Sequence, residues 1–180
     1  MKKYIATLFL ITFTMANAQV IIGDATGTAA VKTSVLLEFA TGNKGLILPY
    51  VRTLPAPSAL TQGTLLLDAS AATAARVKFS DGTNWIDLSG QNANIASALT
   101  AQPTGITETN SKSIIGARTS AADGVLVLES TTKAMVLPTV SDVQNIPSPS
   151  PGMLVYVNKA GAKRLAVYNG SQWSFWRASQ

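Results

Sequence analysis

VLLEFATGNKGLILP (Val35–Pro49) and VLVLESTTKAMVLP (Val125–Pro138) are near copies of one another, and the segments downstream of each are copied too. Behind the first come QGTLLLD (Gln62–Asp68) and RVKFSDGTNW (Arg76–Trp85). Behind the second come PGMLVYV (Pro151–Val157) and RLAVYNGSQW (Arg164–Trp173). Pro49 and Pro138 lie 89 residues apart, as do Gly63 and Gly152. Arg76 and Arg164 lie 88 apart, as do Gly82 and Gly170, and Trp85 and Trp173. Glu38 and Glu129 lie 91 apart, and Gly23 and Gly116 lie 93 apart. Insertions are therefore small and fall between landmarks, where loops belong. An internal repeat governs how the whole chain is read. Two units of roughly 60–65 residues are too few and too long for a solenoid. They point to a modular structural or binding protein.

Each unit opens on a short run rich in Val and Leu, bounded by Gly, Ser and Thr, which reads as a strand. GLILP and AMVLP come next, and the proline must end the strand or sit on an edge because it has no N–H for the ladder. The stretches Tyr50–Gln62 and Thr139–Pro151 carry prolines that forbid a long helix. They read as loops, with a helical turn near Ser141–Ile146. GTLLLD and GMLVYV, then ARVKFS (Ala75–Ser80) and KRLAVY (Lys163–Tyr168), are strands. Asp81-Gly82 and Asn169-Gly170 then supply the residues of a type I′ hairpin corner. TNWIDL (Thr83–Leu88) and SQWSFW (Ser171–Trp176) return as third strands. The expectation is a mainly β fold. Two related small β modules, 19–90 and 115–180, each end in an antiparallel meander and are joined by a polar spacer, 91–114. The spacer is either a flexible linker or a narrow ordered shaft, with Ala96–Leu99 able to start a short helix.

Leu65-Leu66-Leu67 and Met153–Val157 do not alternate as a half-solvated sheet should, so both sheet faces must be covered. A unit this small has too little core to do that alone. Charged residues are only 13% of the chain, against a usual value of about 25%, and apolar residues are 47%. Both facts favour association between units or chains.

The opening MKKYIATLFLITFTMANAQ has two lysines, an apolar run and an Ala-Asn-Ala site. It reads as a secretory signal peptide, 1–18, cut before Gln19. The apolar run is shorter than the roughly 20 residues a membrane span needs, and no later segment would span either. The expected location is secreted or at the cell surface. Of 14 basic residues two lie in that segment, leaving 12 against 9 acidic ones. They are scattered, so no stripe for nucleic acid exists.

The chain has no cysteine and no histidine. Disulfides, thiol chemistry and the commonest general base are absent, along with most zinc-site patterns. No cofactor, metal site or catalytic residue is expected, and the chain reads as a non-enzyme. The aromatic residues that set the second copy apart are Tyr156, Tyr168, Phe175 and Trp176, the candidates for contact with a glycan or partner. Trp85 and Trp173 recur at one place in both copies, which favours hairpin packing. Arg76 and Arg164 are placed to meet a carboxylate or stack on an aromatic ring. Asn169-Gly170-Ser171 matches a glycosylation sequon, but the turn alone accounts for it.

The closing segments of the second copy, Gly152–Val157 and Arg164–Trp173, preceded by Thr131–Pro138, resemble a repeat of phage tail-fibre-like proteins. They are also similar to repeats of Bacteroidetes-type exported cell-surface proteins. The first copy departs from the pattern at Leu66-Leu67-Asp68 and Ser80-Asp81. The resemblance implies an elongated, mostly β, often trimeric protein of attachment or surface structure. Three functions stand as expectations. The first is a secreted structural or adhesive protein assembling as a homotrimer or filament. The second is a carbohydrate- or partner-binding module, and the third is an accessory subunit of an outer-membrane or secretion assembly. A hydrolase stands well behind these.

Overall fold

The structure, a computed structural model, describes residues 19–40, 42–56, 59–105 and 112–176. Residues 1–18, the expected signal peptide, lie outside them. Fourteen strands and one four-residue helix make up the regular structure of the described residues, together with a 3-10 turn at Val143–Asn145. The fold is mainly β, and its stacked sheets fit an elongated, fibre-like protein.

The repeat is visible strand by strand. In the first copy, β1 (Val20–Ile22) lies parallel to β2 (Val35–Phe39). In the second, β8 (Ser113–Ile115) lies parallel to β9 (Leu126–Leu128). Strands β3 (Leu46–Ile47) and β10 (Ala134–Val136) precede the two prolines. Then β4 (Tyr50–Val51), β5 (Leu65–Asp68), β6 (Arg76–Ser80) and β7 (Trp85–Asp87) form one four-stranded sheet. After the helix α1 (Ala96–Leu99), the series β11 (Thr139–Val140), β12 (Met153–Val157), β13 (Arg164–Tyr168) and β14 (Trp173–Trp176) builds its twin. In both sheets the last three strands form the expected antiparallel meander. The first strand of each sheet is parallel to the second, a pairing hidden in what reads from sequence as loop.

Strand register revises one landmark. Val20 pairs with Leu37, and Ser113 with Leu126. Leu37 and Leu126 are thus equivalent, at the same offset of 89 as the prolines. Glu38 therefore corresponds to Val127, and Glu129 to Ala40. The glycines agree. A Cβ on Gly23 (φ 109°) would strike Ala40, and one on Gly116 (φ 101°) would strike the Glu129 carbonyl. The two glutamates share a sheet face but are not the same position.

The corners also differ from a type I′ turn. Ser80 pairs with Trp85 and Tyr168 with Trp173, so each loop holds four residues. Gly82 and Gly170 have positive φ (96° and 113°), whereas Ser148 is the only non-glycine residue with positive φ among the described residues. Asp81 Oδ1 instead accepts from the N–H groups of Thr83 and Asn84, and Asn169 Oδ1 from those of Ser171 and Gln172. One side-chain oxygen organises the corner, which is why Asp and Asn interchange there.

The copies interlock. The main core joins Leu67, Val77 and Leu88 of the first copy to Leu154 and Val167 of the second, with Ala93, Ile95 and Leu99 of the spacer between them. Met153, Val155, Val157 and Ala166 face the other way, against Val140 and Ile146. Both faces of β12 are thus buried within one chain, which explains the unbroken apolar run. Strands cross over as well. From the second copy, β10 lies parallel against β2 of the first. From the first copy, β3 lies antiparallel against β12 of the second.

Candidate functional site

Sheet register places the four candidate aromatics. Tyr168 pairs with Trp173 and Ala166 with Phe175, so Tyr168 and Phe175 share one face with Met153, Val155 and Val157. Leu165 pairs with both Tyr156 and Trp176, which lie on the opposite face, towards the first copy. The four do not form one platform. Tyr168 and Trp173 stack at a tilt, ring centroids 5.2 Å apart, partly buried over the smaller core. Trp176 Nε1 donates to the Leu88 carbonyl (2.8 Å), and Ser174 Oγ to that of Ser89, tying the last strand to the end of the first copy. Trp176 and Phe175 still keep 45% and 41% of their surface exposed. They form the aromatic edge that a ligand could reach. Trp85 is half-buried, its Nε1 donating to the Pro55 carbonyl.

The corner residues are structural supports. Asn169 is buried and its Nδ2 donates to the Gln91 carbonyl, so the amide of the sequon is already committed. Gly170 sits against Ile95, where any Cβ would come within 2.7 Å of Cγ2. The two arginines differ. Arg76 pairs with Asp87, whereas Arg164 lies over the Phe175 ring, 4.0 Å from its centroid.

The most perturbed charge is Glu38, fully buried on β2. Burial alone would raise its pKa. The Lys32 ammonium (2.7 Å) and the N–H groups of Ala29 and Thr28 outweigh that and pull it down to about 2. Glu129 accepts from Ser120 Oγ instead. These carboxylates anchor the loops that precede their strands and sit in no shared cleft. Among the described residues no group of His, Cys, Asp and Glu could hold a metal ion. No described helix is long and apolar enough to cross a membrane.

What the described surface does offer is open strand edge. Ile47 on β3 is 51% exposed, and Val125 and Leu126 beside and on β9 are 54% and 41% exposed. Sequence reading did not single these out, since one apolar residue in a short run looks like any other. The signal lay in comparing partners between the copies.

Residues 114–179, the second copy, match the family model of a phage tail like trimerisation region. No curated protein and no solved structure matches the chain. The match supports a phage-tail-fibre-like, self-associating protein and suggests a structural role. It does not extend to the cell-surface resemblance.

Proposed function

We propose that the chain is a secreted structural subunit that assembles as a homotrimer, serving as a shaft or attachment element of a fibre. The observation that carries this reading is the trimerisation-region match over 114–179. It is supported by the low charge of the chain and by apolar residues left exposed on strand edges. Export rests on the amino-terminal signal pattern, and attachment on the fibre resemblance. Sedimentation velocity of the purified chain tests the reading. A single elongated species of three chains is expected, and a compact single chain at all concentrations overturns it.

A second reading, contact with a surface glycan or an envelope protein, is favoured by the exposed Phe175–Trp176 edge. Tyr156 and Tyr168 would play no joint part in it, because they face opposite sides. Glycan binding that survives Phe175→Ala, which leaves the Trp176 hydrogen bond in place, would count against this reading.

A further inference from the structure

The contacts between the two copies imply what belongs on the edges they leave open. In the first copy, β2 is flanked by β1 on one side and by β10 of the second copy on the other. In the second copy, β9 is flanked by β8 alone among the described residues. The consequence is visible at equivalent positions: Leu37 is 0% exposed and Leu126 is 41% exposed. The strand that fills the first edge is β10, whose equivalent at the offset of 89 is Gly45-Leu46-Ile47.

A matching vacancy exists at the other end. From the first copy, β3 lies against β12 with Ile47 opposite Met153 and Leu46 opposite Leu154. The equivalent stretch, Thr64 and the first β5 residue Leu65, has no such strand beside it among the described residues. Gly152 shows the difference locally. A Cβ there would meet the Leu48 carbonyl, Leu67 and Tyr50, whereas one on its counterpart Gly63 would meet nothing within 4 Å.

One strand type can make both contacts at once. The Ala134 N–H donates to the Ser34 carbonyl beside β2, and the Leu48 N–H donates to the Gly152 carbonyl beside β12. Leu48 is the counterpart of Leu137, three residues beyond Ala134. In a strand, residues an odd number apart turn their N–H groups to opposite edges. So β10 uses one edge within the chain and β3 uses the other, and each keeps free the edge that its counterpart has filled.

We propose that copies of this chain join head to tail by strand addition. Gly45–Ile47 of one chain lies parallel against the free edge of β9 of its neighbour. In the same junction, β10 of that neighbour lies antiparallel against Thr64-Leu65. The junction between chains repeats the junction between the copies within a chain. Its register is set by the one observed, with Leu46 opposite Leu126 and Ile47 opposite Val127. Such a heterologous contact closes into a ring if its rotation permits and runs on as a filament otherwise; a trimer is the closed ring of three chains and six units. The proposal rests on the self-association reading above and specifies its surface.

The chain lacks cysteine, so engineered pairs report cleanly. Adjacent strands lie about 4.8 Å apart, within the Cα spacing a disulfide accepts. Leu46→Cys combined with Leu126→Cys should give, on oxidation, covalent dimers and trimers on a non-reducing gel, and either variant alone should not give the trimer. Ile86→Cys with Leu126→Cys, which offers the same β9 residue an exposed partner outside the junction, is the control. An assembly of multi-chain mass in which the Leu46/Leu126 pair stays unlinked, links only within one chain, or links no better than the control overturns the proposed edge and leaves self-association standing. A chain that is monomeric by mass overturns both. Ile47→Lys supplies an independent arm, since this exposed residue should reduce the assembly to single chains with the melting of the single chain unchanged. Retention of the wild-type mass by that variant also counts against the junction.

Discussion

Glu38 turns a buried charge into a pH dependence that can be measured. Its carboxylate is fully buried and held by Lys32, Thr28 and Ala29, with a pKa of about 2 against an ordinary 4.5. A carboxylate with a depressed folded-state pKa stabilises the fold above its unfolded value. That contribution is lost as pH falls from about 4.5 towards 2. At about 1.4 kcal/mol per pH unit the gap is worth about 3 kcal/mol. Solvent around half-exposed Lys32 trims this to about 2–3 kcal/mol. Glu38→Gln keeps an acceptor oxygen for the two N–H groups and removes the charge, so it isolates the effect. Urea unfolding of both proteins between pH 7 and pH 2.5, at one fixed protein concentration because assembly adds stability of its own, is the assay. The wild type should lead by about 2–3 kcal/mol at pH 7, and the lead should narrow to about 1 kcal/mol or less by pH 2.5. Parallel curves across this range would refute the assignment of a native-state charge at Glu38.

Other perturbations report on packing. Leu37→Ala removes a fully buried side chain where the two copies share a sheet and should cost about 2–5 kcal/mol by denaturant unfolding. Gly170→Ala combines positive φ with a 2.7 Å approach to Ile95, whereas Gly161→Ala at φ 72° meets nothing. The first should lower thermal stability clearly more than the second, which bears only a backbone cost of about 1 kcal/mol. Trp176→Phe deletes the hydrogen bond to the Leu88 carbonyl and should cost about 1 kcal/mol in urea unfolding.

The meanders and their corners were legible because glycine, Asp or Asn, and aromatic residues recur in fixed order around Gly82 and Gly170. The corner mechanism was less so. Asp-Gly and Asn-Gly suit a two-residue turn, but the Oδ1 of Asp81 and Asn169 favours a four-residue loop that satisfies two N–H groups at once. Matching Glu38 to Glu129 by residue type was misleading, since only strand register shows that Glu129 stands at Ala40. Tyr50–Val51 and Thr139–Val140 were unreadable as strands because two residues carry no periodicity, and only a partner strand defines them. The aromatic candidates could be named but not assembled, since the parity that sends Tyr156 and Trp176 to one face and Tyr168 and Phe175 to the other depends on pairing. The spacer gave the least warning. Ala93, Ile95 and Leu99 are buried between the copies, yet their polar neighbours mask them in sequence.

The proposed function requires that the chain assemble with further copies of itself. Native mass spectrometry of the purified chain, at concentrations spanning the micromolar range, tests this most directly. The expected result is a dominant species of three chains that falls to single chains with Ile47→Lys. A wild-type protein that remains a single chain throughout would contradict it.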